Sequence, residues 1–496
     1  MRETGDDLLD TGLTSGFLAP GRNCWRVAQA ERLALIVDAA DYFRVAKQAM
    51  LKARHSIYLI AWDFDTRIRF EPGGRTLEGP NKLGSFLRWL DKERPELKVH
   101  VLKWDMGALL ALMRGMPPMT LMNWLTSERM RFKLDSAHPL GSAHHQKIVV
   151  IDDVLAFCGG LDMTAKRWDT RAHQDEDDRR LGHRHDPWHD ATTAVDGEVA
   201  RAIGDLARER WFCATGERLP PPPPAEPIWP EGLSPTLQDI DVAVARTMPA
   251  YDSLPSVREI ERFYVDAIAA ARRTIYCETQ YFASDRIASA IADRLAEPDG
   301  PEVVIVNPQH AEGIIEQEVM DTSRSRLLRT VEGLDRQDRF LICHPVTRAG
   351  RPIYVHAKIL IVDDWLMRVG SSNLNNRSMG FDTECDLAVS IDAADARRRR
   401  TVTRVRNDLL AEHLDCTPQA VQAAIDAAGG SLIGAIATLS RQNAGRGLRR
   451  LERVVPAPTN ILEDFVAESR LLDPDRPEML RRSRALLRRW LRKGRR

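Results

Sequence analysis

A chain of 496 residues can bury a large core, and its length alone allows two to four domain-sized units. With 43% apolar and 29% charged residues and 71 bases against 71 acids, it has the balance of an ordinary soluble globular protein, which names neither an enzyme nor a binding module. No apolar run approaches the roughly 18 residues of a membrane span, and Met1 to Asp7 is acidic where a signal peptide is basic, so neither integral insertion nor secretion is expected.

After an N-terminal extension over 1–20, helical periodicity from Asp41 to Ala53 leads into the apolar run Ser56 to Trp62, which has the pattern of a buried strand. A further strand is expected at Val99 to Lys103, and His145 to Ile151 is β-prone. Five consecutive prolines, Pro220 to Pro224, lack backbone donors, so 219–250 reads as a linker closing a first lobe over 21–218. The opening then repeats: helix from Ile260 to Arg272, strand from Thr274 to Glu278. Strands follow at Val303 to Val306, Phe340 to Cys343, Tyr354 to Val362 and Leu387 to Ser390, then a helix from Ala393 to His413, giving a second lobe over 251–415. Alternating strands and helices predict an α/β architecture. Thr417-Pro418 is a good cap and first-turn pair, so 416–479 reads as a helical appendage. Residues 480–496 hold nine Arg or Lys and no acid, with Leu480, Leu486, Leu487, Trp490 and Leu491 at helical spacing, the pattern of a basic interfacial helix whose partner would be anionic lipid. The alternative for this tail is a solvated basic end.

One signature occurs twice. His145, Lys147 and Asp152 recur as His356, Lys358 and Asp363, and Gly159-Gly160-Leu161-Asp162 stands where Gly370-Ser371-Ser372-Asn373 stands in the second copy. The offset is 211 throughout, which is the mark of an internal duplication. On a strand, side chains two apart share a face, so each His and Lys should enter one cleft, whereas each Asp, an odd number further, should point away and do structural work at the strand end. Covalent catalysis of a displacement needs a nucleophile and an acid, and two facing halves would supply one imidazole each.

Paired HxKxxxxD motifs, the second followed by GSxN, resemble the phospholipase D superfamily, as do Gly21 to Trp25, Ala61-Trp62-Asp63, Lys166 to Asp169, Trp188-His189-Asp190, Glu278 to Phe282 and Asn376-Arg377-Ser378. The resemblance covers about residues 20 to 415. It implies two similar lobes, each a mixed β-sheet flanked by helices, packed face to face. It implies a catalytic set of His145, Lys147, Asp152, His356, Lys358 and Asp363, with His145 favoured as nucleophile and His356 as acid, an order the residues themselves leave open. Ser371 and Asn373 would be neutral donors to the phosphate, with Asp162 at the corresponding position of the first half. Asp169 and Glu384 are the candidate carboxylates to orient the imidazoles, with Asp190 competing.

The implied activity is hydrolysis of the distal phosphodiester of a glycerophospholipid to phosphatidate and head group through a phosphohistidine, with water or an alcohol as acceptor. A cardiolipin synthase-like phosphatidyl transfer is the close alternative, and a nuclease, which would need a nucleic-acid partner, is a further one. The lysine donors make a cofactor or metal unnecessary for this chemistry. His183, His185 and His189 beside Asp175 to Asp178 match no usual zinc spacing and read as a charged loop. Seven scattered cysteines without a C-x-x-C pair suit a reducing cytoplasm. A monomer is expected there, with residues 480–496 as its contact to the inner membrane face.

Overall fold

The computed structural model describes residues 16–105, 127–180, 185–312, 314–455 and 473–475. In the first half, β1 (Arg26–Val37) and α1 (Ala39–Leu51) precede β2 (Ser56–Ala61), α2 (Leu83–Glu93), β3 (Lys98–Trp104) and β4 (Met130–Asp135). β5 (Ile148–Ile151), β6 (Leu155–Gly159), β7 (Trp188–His189), β8 (Ala191–Asp196) and α3 (Glu198–Thr215) follow. The second half opens with β9 (Leu237–Met248), β10 (Val257–Arg258), α4 (Glu259–Ala270), β11 (Thr274–Glu278), α5 (Asp285–Ala296), β12 (Glu302–Val306) and α6 (Ile314–Leu334). It continues through β13 (Phe340–Val346), β14 (Tyr354–Val355), β15 (Ile359–Val362), β16 (Leu366–Gly370), α7 (Asn376–Gly380), β17 (Glu384–Ser390) and α8 (Ala396–His413). The chain then forms α9 (Pro418–Ala427), α10 (Leu432–Ala444) and β18 (Arg450–Arg453).

The two α/β halves share one sheet, in the order β18-β13-β12-β11-β15-β16-β17-β9-β1-β8-β6-β5-β2-β3-β4, with β10 on β9. From the β1–β9 seam outward, each half repeats the same sequence of strands: β8, β6, β5, β2, β3 and β4 on one side match β17, β16, β15, β11, β12 and β13 on the other. Side chains of a buried strand alternate between faces. In β2, Ile57 and Leu59 join the core under α1 and α2, while Tyr58 and Ile60 join the opposite core under α3. That second core is continuous across the seam, running from Trp211 of α3 to Leu409 and Leu410 of α8.

Three expectations change. Within the segment read as a linker, residues 237–248 form β9, a central strand, because Val242 to Met248 are all buried and pair with β1 on one side and β17 on the other. The proline run masked this strand by drawing the boundary too far. The lobes are joined edge to edge by a shared ladder, a packing that side-chain pattern alone did not specify. The appendage does form two helices, with Thr417 capping Ala420 as its sequence predicts, but it also returns β18 to the edge of β13. The basic tail, most of the N-terminal extension and 456–472 lie outside the described residues.

Because β1 pairs with β9 from Arg26 to Leu33, residues 1–236 expressed alone would expose that edge of a long strand. Such an edge templates aggregation. The fragment is expected to be insoluble or associated by size-exclusion chromatography; a soluble, monodisperse fragment would contradict the shared-sheet account.

Candidate functional site

His145 and Lys147 lie in the extended segment that enters β5, and His356 and Lys358 in the one that enters β15. The regular strands begin one residue after each lysine, later than the sequence predicts, because the motif residues pair with the other half. His145 N–H donates to Thr383 O at 3.0 Å, and His356 N–H donates to His189 O at 2.8 Å. A parallel β7–β14 ladder continues the second contact, aligning Tyr354 with Trp188 and Val355 with His189. Each motif is thereby laid against the segment of the opposite half that ends in a carboxylate.

The result is a reciprocal pairing. Nδ1 of His145 lies 2.9 and 3.0 Å from the oxygens of Glu384, and Nδ1 of His356 lies 2.6 Å from Asp190 Oδ2. Asp190 and Glu384 hold equivalent places, each two residues before the partner of the glycine that ends β6 or β16: Gly159 pairs with Thr192 and Gly370 with Asp386. Glu384 was expected in this role, whereas Asp169 is replaced by Asp190. Asp169 instead accepts from His173, Arg180 and the Trp188 amide. The first half carries a longer excursion before its carboxylate, so the 211-residue offset does not hold between Asp190 and Glu384.

With Nδ1 engaged, Nε2 is the atom each ring keeps for a ligand. His145 has 15% of its side chain exposed, His356 only 5%. Burial first, then the charges of Lys147 and Lys358, holds the His145 imidazole well below its ordinary value. Burial, Lys358, Arg167 and Lys147 do the same to His356. Lysines from both halves thus act on both rings, which places the two motifs in one electrostatic environment. Burial also lowers Lys358 to about 7, against the pull of Asp190, and raises Glu384 to about 8.

The supporting donors differ between halves. Ser371 Oγ–H donates to Glu384 at 2.5 Å and Ser378 Oγ–H donates to its other oxygen at 2.7 Å. At the position of Ser371 the first half has Gly160, where a Cβ would meet Asp190 Oδ1 at 2.3 Å. The shorter, closer Asp and the missing side chain fit together, as do the longer Glu and the serine. Asp162 lies 3.3 Å from Lys147 and accepts from the Trp62 amide, while Asn373 bonds Gln280, whose Oε1 also reaches Lys358 at 3.5 Å. Gln280 and Arg167 were not singled out from sequence, although both sit in segments carrying the family resemblance. Arg167 is buried, lies 4.0 Å over the Trp188 ring, and its Nε has no hydrogen-bond partner among the described residues.

Asp152 and Asp363 stay out of the cleft. Asp152 accepts from the amides of Arg54, His55 and Ser56, and Asp363 from those of Arg272, Arg273 and Thr274. Each fastens the turn that enters β2 or β11 beside its motif strand. The structural role expected from their odd spacing is the one seen, and their place in the catalytic set is withdrawn. Of the histidine-rich loop, His185 bonds the Asp186 carbonyl, His189 is buried apart from it, and His183 lies outside the described residues.

Two predictions follow from this geometry. Asp363→Ala removes the acceptor of three amides and should cost about 1–3 kcal/mol, read as a lower denaturation midpoint. Gly160→Ser should lower turnover by displacing Asp190, whereas Ser371→Gly should be milder because Ser378 still holds Glu384; equal effects on initial rates would argue against the fitted pairs.

The chain is similar to several known proteins. The family described as "Cardiolipin synthase, PLD-like domain" matches residues 264–403. Phospholipase D A of Dictyostelium discoideum is 26% identical over 476 residues, covering 78% of this chain and 36% of that protein. Phospholipase D alpha 4 of Arabidopsis thaliana is 24% identical over 489 residues, covering 76% and 64%. Cardiolipin synthase A of Pseudomonas putida (strain W619) is 29% identical over 254 residues, covering 51% and 45%. The chain therefore spans less than two thirds of the length of each of these curated relatives. The fold is that of phosphatidylserine synthase from Haemophilus influenzae Rd KW20, with a TM-score of 0.54 at 14% identity over 80% of this chain and 90% of that one. In its twinned motifs, its mirrored halves and these relatives, the chain is similar to the phospholipase D superfamily.

Proposed function

We propose that the protein is a phospholipase D, cleaving the distal phosphodiester of a glycerophospholipid. The observation that carries the reading is the crossed pairing of two imidazoles with two carboxylates, His145–Glu384 and His356–Asp190, which leaves an Nε2 from each half for one phosphorus. Neutral His145 Nε2 attacks phosphorus, forming a P–N bond as the P–O bond to the head group breaks. His356 Nε2–H gives its proton to the departing oxygen. Neutral again, His356 takes a proton from water, whose oxygen attacks phosphorus and expels His145, releasing phosphatidate.

The depressed imidazoles suit the nucleophile, which must be neutral, and work against the acid, which must be charged. A bound phosphodiester anion resolves the conflict, since its charge offsets Lys147 and Lys358 and favours the imidazolium. The two ammonium groups and the Asn373 amide would stabilise charge growing on the equatorial oxygens. Any alcohol that reaches the intermediate can replace water, so phosphatidyl transfer is the second reading, favoured by the family match over 264–403. The basic tail would hold the protein on anionic lipid at the inner membrane face. A nuclease reading has the tail in its favour and nothing in the cleft.

Incubation with mixed-phospholipid vesicles and a primary alcohol should yield phosphatidate, free head group and phosphatidyl-alcohol. His145→Ala and His356→Ala should each cost at least about 100-fold in kcat; wild-type turnover in either would sink the shared-site mechanism. kcat/KM should be limited by the two depressed imidazoles below the ordinary imidazole range, one needed neutral and one charged, and should show a further alkaline limb near 7, where Lys358 loses its charge. Lys358→Arg, which keeps its charge, should lose that alkaline limb; an unchanged limb would assign it to another group.

A further inference from the structure

One residue before Asp190, His189 enters a second cluster of titratable side chains that the proposed chemistry does not use. His189 Nδ1 and His173 Nε2 lie 2.8 and 2.9 Å from the same Glu412 oxygen. Asp38 Oδ1 is 3.6 Å from His189 Nδ1, and Asp38 Oδ2 is 3.6 Å from His173 Nε2. One donor atom from each of the four residues lies within 4.8 Å of all the others. None of these side chains is more than 1% exposed. For metal–ligand distances of about 2.0–2.2 Å a tetrahedral site puts neighbouring donors roughly 3.3 Å apart, inside the spread found here.

The surroundings are those of a metal centre. A ligating imidazole ordinarily gives its other N–H to a carboxylate, which fixes the ring and raises its basicity. His173 Nδ1 lies 3.1 Å from Asp169 Oδ2, and His189 Nε2 lies 2.7 Å from Glu278 Oε2. Those carboxylates are themselves held, Asp169 by Arg180 and the Trp188 amide, Glu278 by Tyr276 Oη–H at 2.5 Å and by His413 Nε2 at 3.1 Å. Arg171 holds the second oxygen of Glu412. Asp38 Oδ2 is buried and accepts no hydrogen bond among the described residues, although Asp38 is fastened through its amide to Asp190 O at 2.8 Å and through Oδ1 to the Asp190 amide at 3.1 Å. With neutral imidazoles, four buried carboxylates (Asp38, Asp169, Glu278, Glu412) face two guanidiniums, Arg180 and Arg171, the latter shared with Asp408, leaving an excess of negative charge that a divalent cation would offset. Buried charge without such compensation is costly.

We propose that Asp38, His173, His189 and Glu412 form a buried structural site for a divalent cation of the zinc type. The ion would join the β1–α1 junction and the segment before β8 to α8 of the second half. It would do so next to Asp190 without touching the cleft. The N₂O₂ donor set suits zinc, with cobalt as a spectroscopic substitute.

The test uses the full chain without an affinity tag, expressed with and without added zinc. Plasma mass spectrometry should find about one zinc per chain, and the zinc-supplemented protein should melt higher than protein refolded in chelator. Refolding with cobalt should give visible absorption of tetrahedral type. Asp38→Asn, of the same size, should lose at least about tenfold in zinc content at limiting zinc; if it does not fold, Asp169→Asn, which removes the charge behind His173, should weaken zinc about 10–100-fold. Wild-type protein that is metal-free as isolated, takes up neither ion on refolding and melts identically with and without zinc would overturn the site. The network would then hold protons in the ion's place. Wild-type zinc content and affinity in both Asp variants would overturn it as well.

Discussion

Everything in this cleft depends on one arrangement, the crossed hydrogen bonding of each motif histidine to a carboxylate of the opposite half. An imidazole held at Nδ1 has its orientation set and its remaining nitrogen fixed in direction. Because the bond crosses between halves, neither half can assemble a complete pair alone. The backbone enforces this before any side chain does: His145 N–H on Thr383 and His356 N–H on His189 bring Glu384 and Asp190 into reach. The β1–β9 ladder then fixes the distance between halves, and the core shared from Trp211 to Leu409 prevents them from separating.

The halves are related but not equivalent. The second half surrounds a longer carboxylate with two hydroxyls, and the first uses a shorter one that comes closer where a side chain is missing. The first lysine has a carboxylate, Asp162, at 3.3 Å, while the second has the neutral amides of Gln280 and Asn373 nearby. Such differences give the two rings unlike surroundings, although burial and the two lysines depress both imidazoles; the proposed reaction needs one of them neutral and the other charged. The greater exposure of His145 fits the nucleophile's part proposed for it.

A second set of buried charges lies against the same seam, and His189 belongs to both arrangements: its carbonyl receives the His356 amide while its ring sits between Glu412 and Glu278. A disturbance in that interior would therefore reach the cleft through one residue of backbone. The positive φ of Asp38, 66°, at the start of α1 marks the same junction. A non-glycine residue in that region is held there by its surroundings, here by the two hydrogen bonds between Asp38 and Asp190.

Local pattern was enough to read the α/β character, the helix and strand that open each half, the capped helix after Thr417 and both His/Lys pairs. Those features are written in periodicities and in spacings within a few residues, which the chain carries wherever it folds. The remote position of Asp152 and Asp363 was legible for the same reason, since side-chain direction alternates along a strand. The choice of Asp190 over Asp169, the entry of residues 237–248 into the sheet, the addition of β18 and the recruitment of Arg167 and Gln280 were decided only by tertiary structure. Each depends on partners far away in the chain, as with His356 and Asp190, or on an excursion present in one half and absent from the other. The sequence by itself determined which groups could do chemistry, and the fold decided which of them meet, because contact across a seam is set by ladders and packing that no local pattern records.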